Sequence, residues 1–402
     1  MSDKKSLRVI LTVTSVILTA IYTISCIYLY YRFMVWESGS VYESDLPAHI
    51  GLAVDDHVIY SLISLIFIAL NKIGLMGAVP FILGGFALLS VIFSYLIIEE
   101  TIPEFNVKWE KYKSLFLALL LNVLMPCYIR GLSDGRYIGM QSSSIWHNST
   151  YLMMKWMGLW VILIYIRLEK KISEELTLKS YLYFTAILTL ATAAKPSFFL
   201  AVTPAMLVFL IIDLVTHRVP AARLFCFASS VIPSFAVMLL QSMALYSSDT
   251  GSNSITIAPG MAMSIHTGYL IPVCILSIAF PLMILMYHIK DLKKNRLLLF
   301  TWLSAAVGFM EYYLFSEEGT RNLDGNFSWG YAFTIILIFG ISLLLWLKDL
   351  RDVFWDDKKG GSQDIIKKIY LTLCGLVLAY HTYCGVLFFV RIVRGVSYMM
   401  WG

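Results

Sequence analysis

Apolar blocks about as long as a bilayer is thick recur from one end of this chain to the other, and nothing else limits its fold as much. A helix needs roughly 20 apolar residues to cross hydrocarbon. Runs near that length occupy 7–34, 74–98, 114–130, 147–166, 180–194, 196–213, 224–246, 266–288, 297–315, 328–347 and 369–394. Of 402 residues, 59% are apolar and only 14% charged, against about 25% charged in a typical globular domain. The mean hydropathy is +0.75. No stretch between the blocks is long enough to bury a core of its own, which excludes soluble domains. Disorder and nucleic-acid binding are excluded too, because the formal charge of +5 is spread over short loops. The expectation is an all-α polytopic bundle, one transmembrane domain over 1–402 with about eleven spans.

Residues 35–73 interrupt the pattern, being polar at first and then apolar from Val58 to Leu70. The positive-inside rule decides how to read that stretch. With the N-terminus in the cytoplasm and 58–70 lying on the membrane surface, 22 of the 31 Lys and Arg fall on the cytoplasmic side. A full crossing at 58–70 would invert the bias. The second half of 35–73 is therefore expected to form a surface helix in an outer loop of a plasma-membrane protein. The first block is too long for a signal-peptide core and reads as a retained span. The six cysteines sit in or beside apolar segments with no CxxC pair and read as small core residues.

Cytoplasmic loops on this layout are short basic clusters, while the outer side carries the chemistry. Asp45 and His49, four apart beside Pro47, would share a helix face, where a carboxylate next to an imidazole suits a general base. A helix cap with a solvated histidine is the plainer reading. The 131–146 loop supplies Arg136 and runs into His147 and Asn148, with Lys155 about two turns inside the next span, where a charge is costly. The plainer account there is an aromatic belt with a snorkelling lysine. Lys195-Pro196 separates two short spans, and irregular backbone at that depth needs burial or a wet cavity. A lysine there suits a phosphate. The 316–327 loop carries Glu317, Arg321 and Asn326 and leads into Trp329; its arginine suits bidentate phosphate contact and its aromatic a sugar ring. No histidine spacing supports a metal, so no cofactor is expected, although Asp45, Asp55, Asp56 and His49 are possible ligand types. No Walker, GxGxxG or GxSxG element occurs.

One outer carboxylate after the first span, a surface helix at 47–70 and outer cations at the membrane boundary together resemble the GT-C superfamily of integral-membrane glycosyltransferases. The likeness is one of layout over most of the chain. It implies transfer of a sugar from a polyprenyl-phosphate donor to a cell-envelope glycan or lipid acceptor on the outer face. It implies Asp45 as general base with His49 orienting it, and Lys195, Arg321, Arg136 or Lys155 on the departing phosphate. His147, Asn148, Glu317, Asn326 and Trp329 would then meet the sugar or acceptor. The sequence lacks the second acidic pair and the large soluble C-terminal domain of some members. A transporter or flippase of a lipid-linked sugar would use the same cations, and paired broken helices would mark it. An envelope-polysaccharide polymerase or ligase usually has a larger outer loop, and a non-catalytic scaffold would leave Lys155 and Lys195 without a role.

Overall fold

The structure, a computed structural model, describes residues 2–35, 42–105, 110–132, 141–171, 177–246, 254–264, 267–318, 325–354 and 362–398. Along the described chain the helices are α1 Ser2–Met34, α2 Leu46–Val54, α3 Leu62–Lys72, α4 Val79–Thr101, α5 Lys111–Leu121, α6 Ser149–Lys170, α7 Leu178–Ala194, α8 Ser197–Val215 and α9 Ala221–Tyr246. They continue with α10 Met261–Ser264, α11 Leu270–Ser277, α12 Ala279–His288, α13 Arg296–Leu314, α14 Ser328–Phe354 and α15 Ser362–Val393. Two short strands, β1 Ile255–Ile257 and β2 Phe315–Glu317, pair antiparallel with Ile255 opposite Glu317.

Eight of these helices are long and apolar enough to cross a membrane, or nine if the bent α11–α12 pair is one span. That is fewer than the eleven expected. Two blocks account for the difference. The 114–130 block is helical only as far as Leu121, and α7 has 17 residues, about 26 Å against a hydrocarbon core of about 30 Å. The expected surface helix at 47–70 is two short helices, α2 and α3, packed on one another.

Burial separates the centre of the bundle from its rim. The most apolar windows of α6 and α14 are each 83% buried, against 22% for α1. Val9, Val13, Ile17, Ile21 and Ile24 on α1 are exposed and apolar, the character of a lipid-facing surface.

The two ends of the bundle differ in chemistry. At one end Arg8 pairs with Glu110 at 2.5 Å, Arg167 with Glu100 at 2.8 Å, Arg218 with Glu169 at 3.0 Å and His288 with Asp349 at 2.7 Å. Arg296 there reaches both Glu169 and Asp213. At the other end lie α2, the start of α6, the Lys195-Pro196 turn, the strand pair and the start of α14.

Helix breaks in the core are satisfied by other segments. Pro281 has no N–H to give Ser277 and crowds its carbonyl, so α11 and α12 meet at 76°. The Leu276 carbonyl accepts instead from the Cys127 amide at 3.0 Å. His381 on α15 bridges both irregular stretches. Its Nδ1 donates to the Met125 carbonyl at 2.7 Å, and its Nε2 accepts from the Phe280 amide at 3.4 Å. Gly385 lets the 122–128 segment lie against α15, since a Cβ there would stand 1.8 Å from the Val123 carbonyl oxygen.

Candidate functional site

Local sequence builds each part of the site. Asp45 precedes Pro47 at the start of α2 and is that helix's N-cap, without a side-chain capping bond. Its carboxylate is instead turned toward α6, where it accepts from Asn148 Nδ2 at 2.7 Å. Asn148 is the N-cap of α6, and its Oδ1 takes the Tyr151 amide at 2.9 Å, one of the donors that every helix start leaves open. The same Oδ1 accepts from Thr150 Oγ1 at 2.7 Å, and Thr150 accepts from Lys195 Nζ at 2.8 Å. Lys195 is in extended backbone, as the residue before a proline prefers, and Pro196 opens α8. A cation and an anion are thus joined through two neutral side chains whose dipoles run the same way.

The chain of contacts continues past Lys195. Its ammonium lies 4.7 Å from the centre of the Trp329 ring, an attractive placement of charge on a π face. Trp329 Nε1 donates to Asn326 Oδ1 at 3.3 Å, and Asn326 Nδ2 donates to Glu317 Oε2 at 2.6 Å. Lys195, Thr150, Glu317 and Asn326 line one cavity of about 270 Å³. Tyr60, Ser61 and Gln241 add polar groups to it, while Leu200, Met238 and Phe327 form apolar walls. Asp45 borders this cavity through Asn148 and Thr150 and does not line it.

Around Asp45 the surroundings are aromatic. His147 is 4% exposed, with Nε2 4.0 Å from the Asp45 carboxylate. Its ring stacks on Tyr398 with centroids 3.8 Å apart and planes 10° off parallel. Burial pushes the His147 imidazole down to about 4; Lys195 acts in the same direction and Asp45 against it. The ring is therefore neutral near pH 7. Burial raises the Tyr398 hydroxyl, and the charges of Asp45 and Glu43 raise it further, so it stays protonated. The segment bearing Tyr398 is pinned by Ser397 donating to Glu43 at 2.5 Å and by Tyr42 donating to the Val393 carbonyl at 3.2 Å.

The expected site residues divide into three groups. Asp45, His147, Asn148, Lys195, Glu317, Asn326 and Trp329 come together as described. His49 is next to them with Nδ1 2.7 Å from Ser149 Oγ, the first residue of α6, instead of pairing with Asp45 along the helix. Lys155 is buried and donates to the Ser143 carbonyl at 2.8 Å, and it does not line the cavity. Arg136 and Arg321 lie outside the described residues. Thr150, Tyr398 and Gln241 join the site without any local signal; a Tyr near aromatic residues at a span end reads as a membrane anchor. Among the described residues no three His, Cys, Asp or Glu side chains gather as they would around a metal ion.

Fold and site together define a multi-span helical membrane protein with a polar, partly charged cavity near one end of its bundle. Compared with protein-family models and with curated protein sequences, the chain matches none.

Proposed function

We propose that this protein is a membrane glycosyltransferase of the GT-C kind, moving a sugar from a polyprenyl-phosphate donor to an envelope glycan or lipid acceptor on the outer face. The carrying observation is the Asp45–Asn148–Thr150–Lys195 connection, which sets a carboxylate and a cation at the edge of one cavity with apolar walls. In this reading Lys195 balances charge on the departing lipid phosphate, where the largest rate effect is expected. Asp45 takes the acceptor hydroxyl proton as that oxygen attacks the anomeric carbon and the C–O bond to phosphate breaks. Glu317, Asn326 and Trp329 hold the sugar by hydrogen bonds and ring contact, with His147 and Asn148 keeping Asp45 in place. Arg321 and Arg136 remain candidates for the phosphate.

An outward site follows if eleven crossings begin from a cytoplasmic N-terminus. Nine spans become eleven if α7 crosses and if α5 with the non-helical residues after it crosses as one unit. The basic end is then cytoplasmic, in line with the positive-inside rule. Nucleotide sugars are absent outside a cell, so a donor anchored in the membrane fits that sidedness.

Purified protein incubated with labelled polyprenyl-phosphate sugars tests the reading. Lys195→Ala is expected to reduce donor use at least tenfold, about 1.4 kcal/mol of transition-state binding. Asp45→Asn is expected to abolish transfer while leaving donor binding intact. Full transfer by Asp45→Asn would remove the base assignment.

A flippase or transporter of a lipid-linked sugar is the second reading, favoured by the 76° break between α11 and α12. A span broken inside the bundle is a feature of transporters. Movement of the labelled lipid across sealed vesicles without acceptor would support it over transfer.

A further inference from the structure

The basic end carries a second chemistry. The ends of α4 and α6 and the start of α7 enclose a cavity of about 420 Å³ lined by Glu100, Arg167, Lys170, Lys171, Ser180 and Tyr183. Three cations share it with one carboxylate: Glu100 accepts from Arg167 at 2.8 Å and from Lys170 at 3.2 Å. Lys171 has no acidic partner among the described residues. The neighbouring cavity lined by Arg218 and Arg296 differs, since Glu169 and Asp213 pair with both of its arginines. Among the described residues lining the α4–α6–α7 cavity, cations outnumber carboxylates three to one.

That cavity also adjoins a surface suited to hydrocarbon. Leu182 is 60% exposed, and Leu182, Ala186 and Leu190 fall at i, i+4 and i+8 on α7, all exposed. Tyr183 is half-exposed between this stripe and the cations, edge-on to the Trp160 ring at 6.0 Å, the position aromatic side chains take at a headgroup boundary. A soluble anion has no use for the apolar stripe, and a neutral lipid has none for the cations.

We infer that the cavity between the ends of α4, α6 and α7 binds the headgroup of an anionic phospholipid, with Arg167, Lys170 and Lys171 on the phosphodiester and an acyl chain along Leu182, Ala186 and Leu190. Ser180 and Tyr183 supply hydroxyl donors to the same headgroup. The site lies at the opposite end from the sugar cavity and does not rest on the glycosyltransferase reading.

Native mass spectrometry of the purified full-length protein, titrated with phosphatidylglycerol and with phosphatidylcholine, tests it. Phosphatidylglycerol is expected to bind preferentially to the wild type, and Lys170→Gln/Lys171→Gln is expected to weaken it about tenfold. Lys170→Arg/Lys171→Arg keeps the charge and should keep the binding, which separates loss of the site from loss of the fold. Lys290→Gln/Lys293→Gln removes equal charge from the same end but outside the cavity and should leave binding within about twofold. Equal weakening by that control would replace the site with a diffuse field. Equal affinity for phosphatidylcholine, or displacement of phosphatidylglycerol by glycerol phosphate at matched concentration, would also overturn the proposal.

Discussion

Thr150 is the small residue on which the site's electrostatics depend. Its hydroxyl accepts from the Lys195 ammonium and donates to Asn148, so that removing it takes one hydrogen bond from each. Valine matches threonine in shape, and Thr150→Val is expected to lower stability by about 0.5–1.5 kcal/mol, the usual net worth of a hydrogen bond. Thermal unfolding in detergent measures this, and Thr150→Ser should restore most of it. His147 gives the site a pH dependence of definite sign. Its folded-state value of about 4 lies below the 6.5 of a free imidazole, so between those limits the unfolded chain binds more protons than the folded one. Stability should be complete above pH 6.5 and decline by about 3 kcal/mol on the way to pH 4. His147→Phe keeps a ring on Tyr398 and should flatten that part of the pH profile; an unchanged slope would assign it to other groups. Asp45, Asn148, Lys195 and Glu317 were each recognisable from local sequence as polar residues in costly places. Their connection was not, because Thr150 and Tyr398 look like an ordinary helix start and an interfacial anchor until the fold brings them there.

Among the elements, the long apolar helices follow directly from composition, since an uninterrupted run of helix-compatible apolar residues in lipid has no other way to satisfy its backbone. The two irregular elements were less legible for the same reason. Pro281 signals a possible break, but a break at membrane depth survives only where other groups take up the freed donors and acceptors. Those groups, Cys127 and His381, are more than a hundred residues away in either direction. The end of α5 at Leu121 likewise depends on α15 accepting the chain that follows it. Gly385 is the contact point, and Gly385→Ala would force backbone apart where the new Cβ meets the Val123 carbonyl. A loss of about 1–3 kcal/mol or more is expected, the scale of overpacking in a tight core. Gly340→Ala is the comparison, because its Cβ would meet only Leu121 Cδ1 at 3.6 Å, an ordinary contact. A Gly385→Ala protein as stable as Gly340→Ala would mean that the α15 junction is loose.

For the whole molecule the decisive quantity is sidedness, because the cavity's chemistry has a different meaning in each compartment. Contacts at the two ends place Lys111, Lys179 and Lys294 toward the basic end and Ser254, through Glu318, toward the site end, while Gly131 follows α5 in the chain. If α5 with the residues after it, and α7, both cross, accessibility must alternate along the chain. Single cysteines placed in a cysteine-free background test this with a membrane-impermeant maleimide on intact cells. Gly131→Cys and Ser254→Cys should label directly, whereas Lys111→Cys, Lys179→Cys and Lys294→Cys should label only after permeabilisation. The complete mirror pattern would keep eleven crossings but turn the cavity toward the cytoplasm, where nucleotide sugars abound and the argument for a lipid-linked donor lapses. Equal labelling at Lys111 and Gly131 would show that the α5 unit returns to its own side, and equal labelling at Lys179 and Ser254 would say the same of the segment from α7 to α9. The charge asymmetry predicts the alternating outcome, since a basic end left outside would oppose the rule that orients membrane helices as they insert.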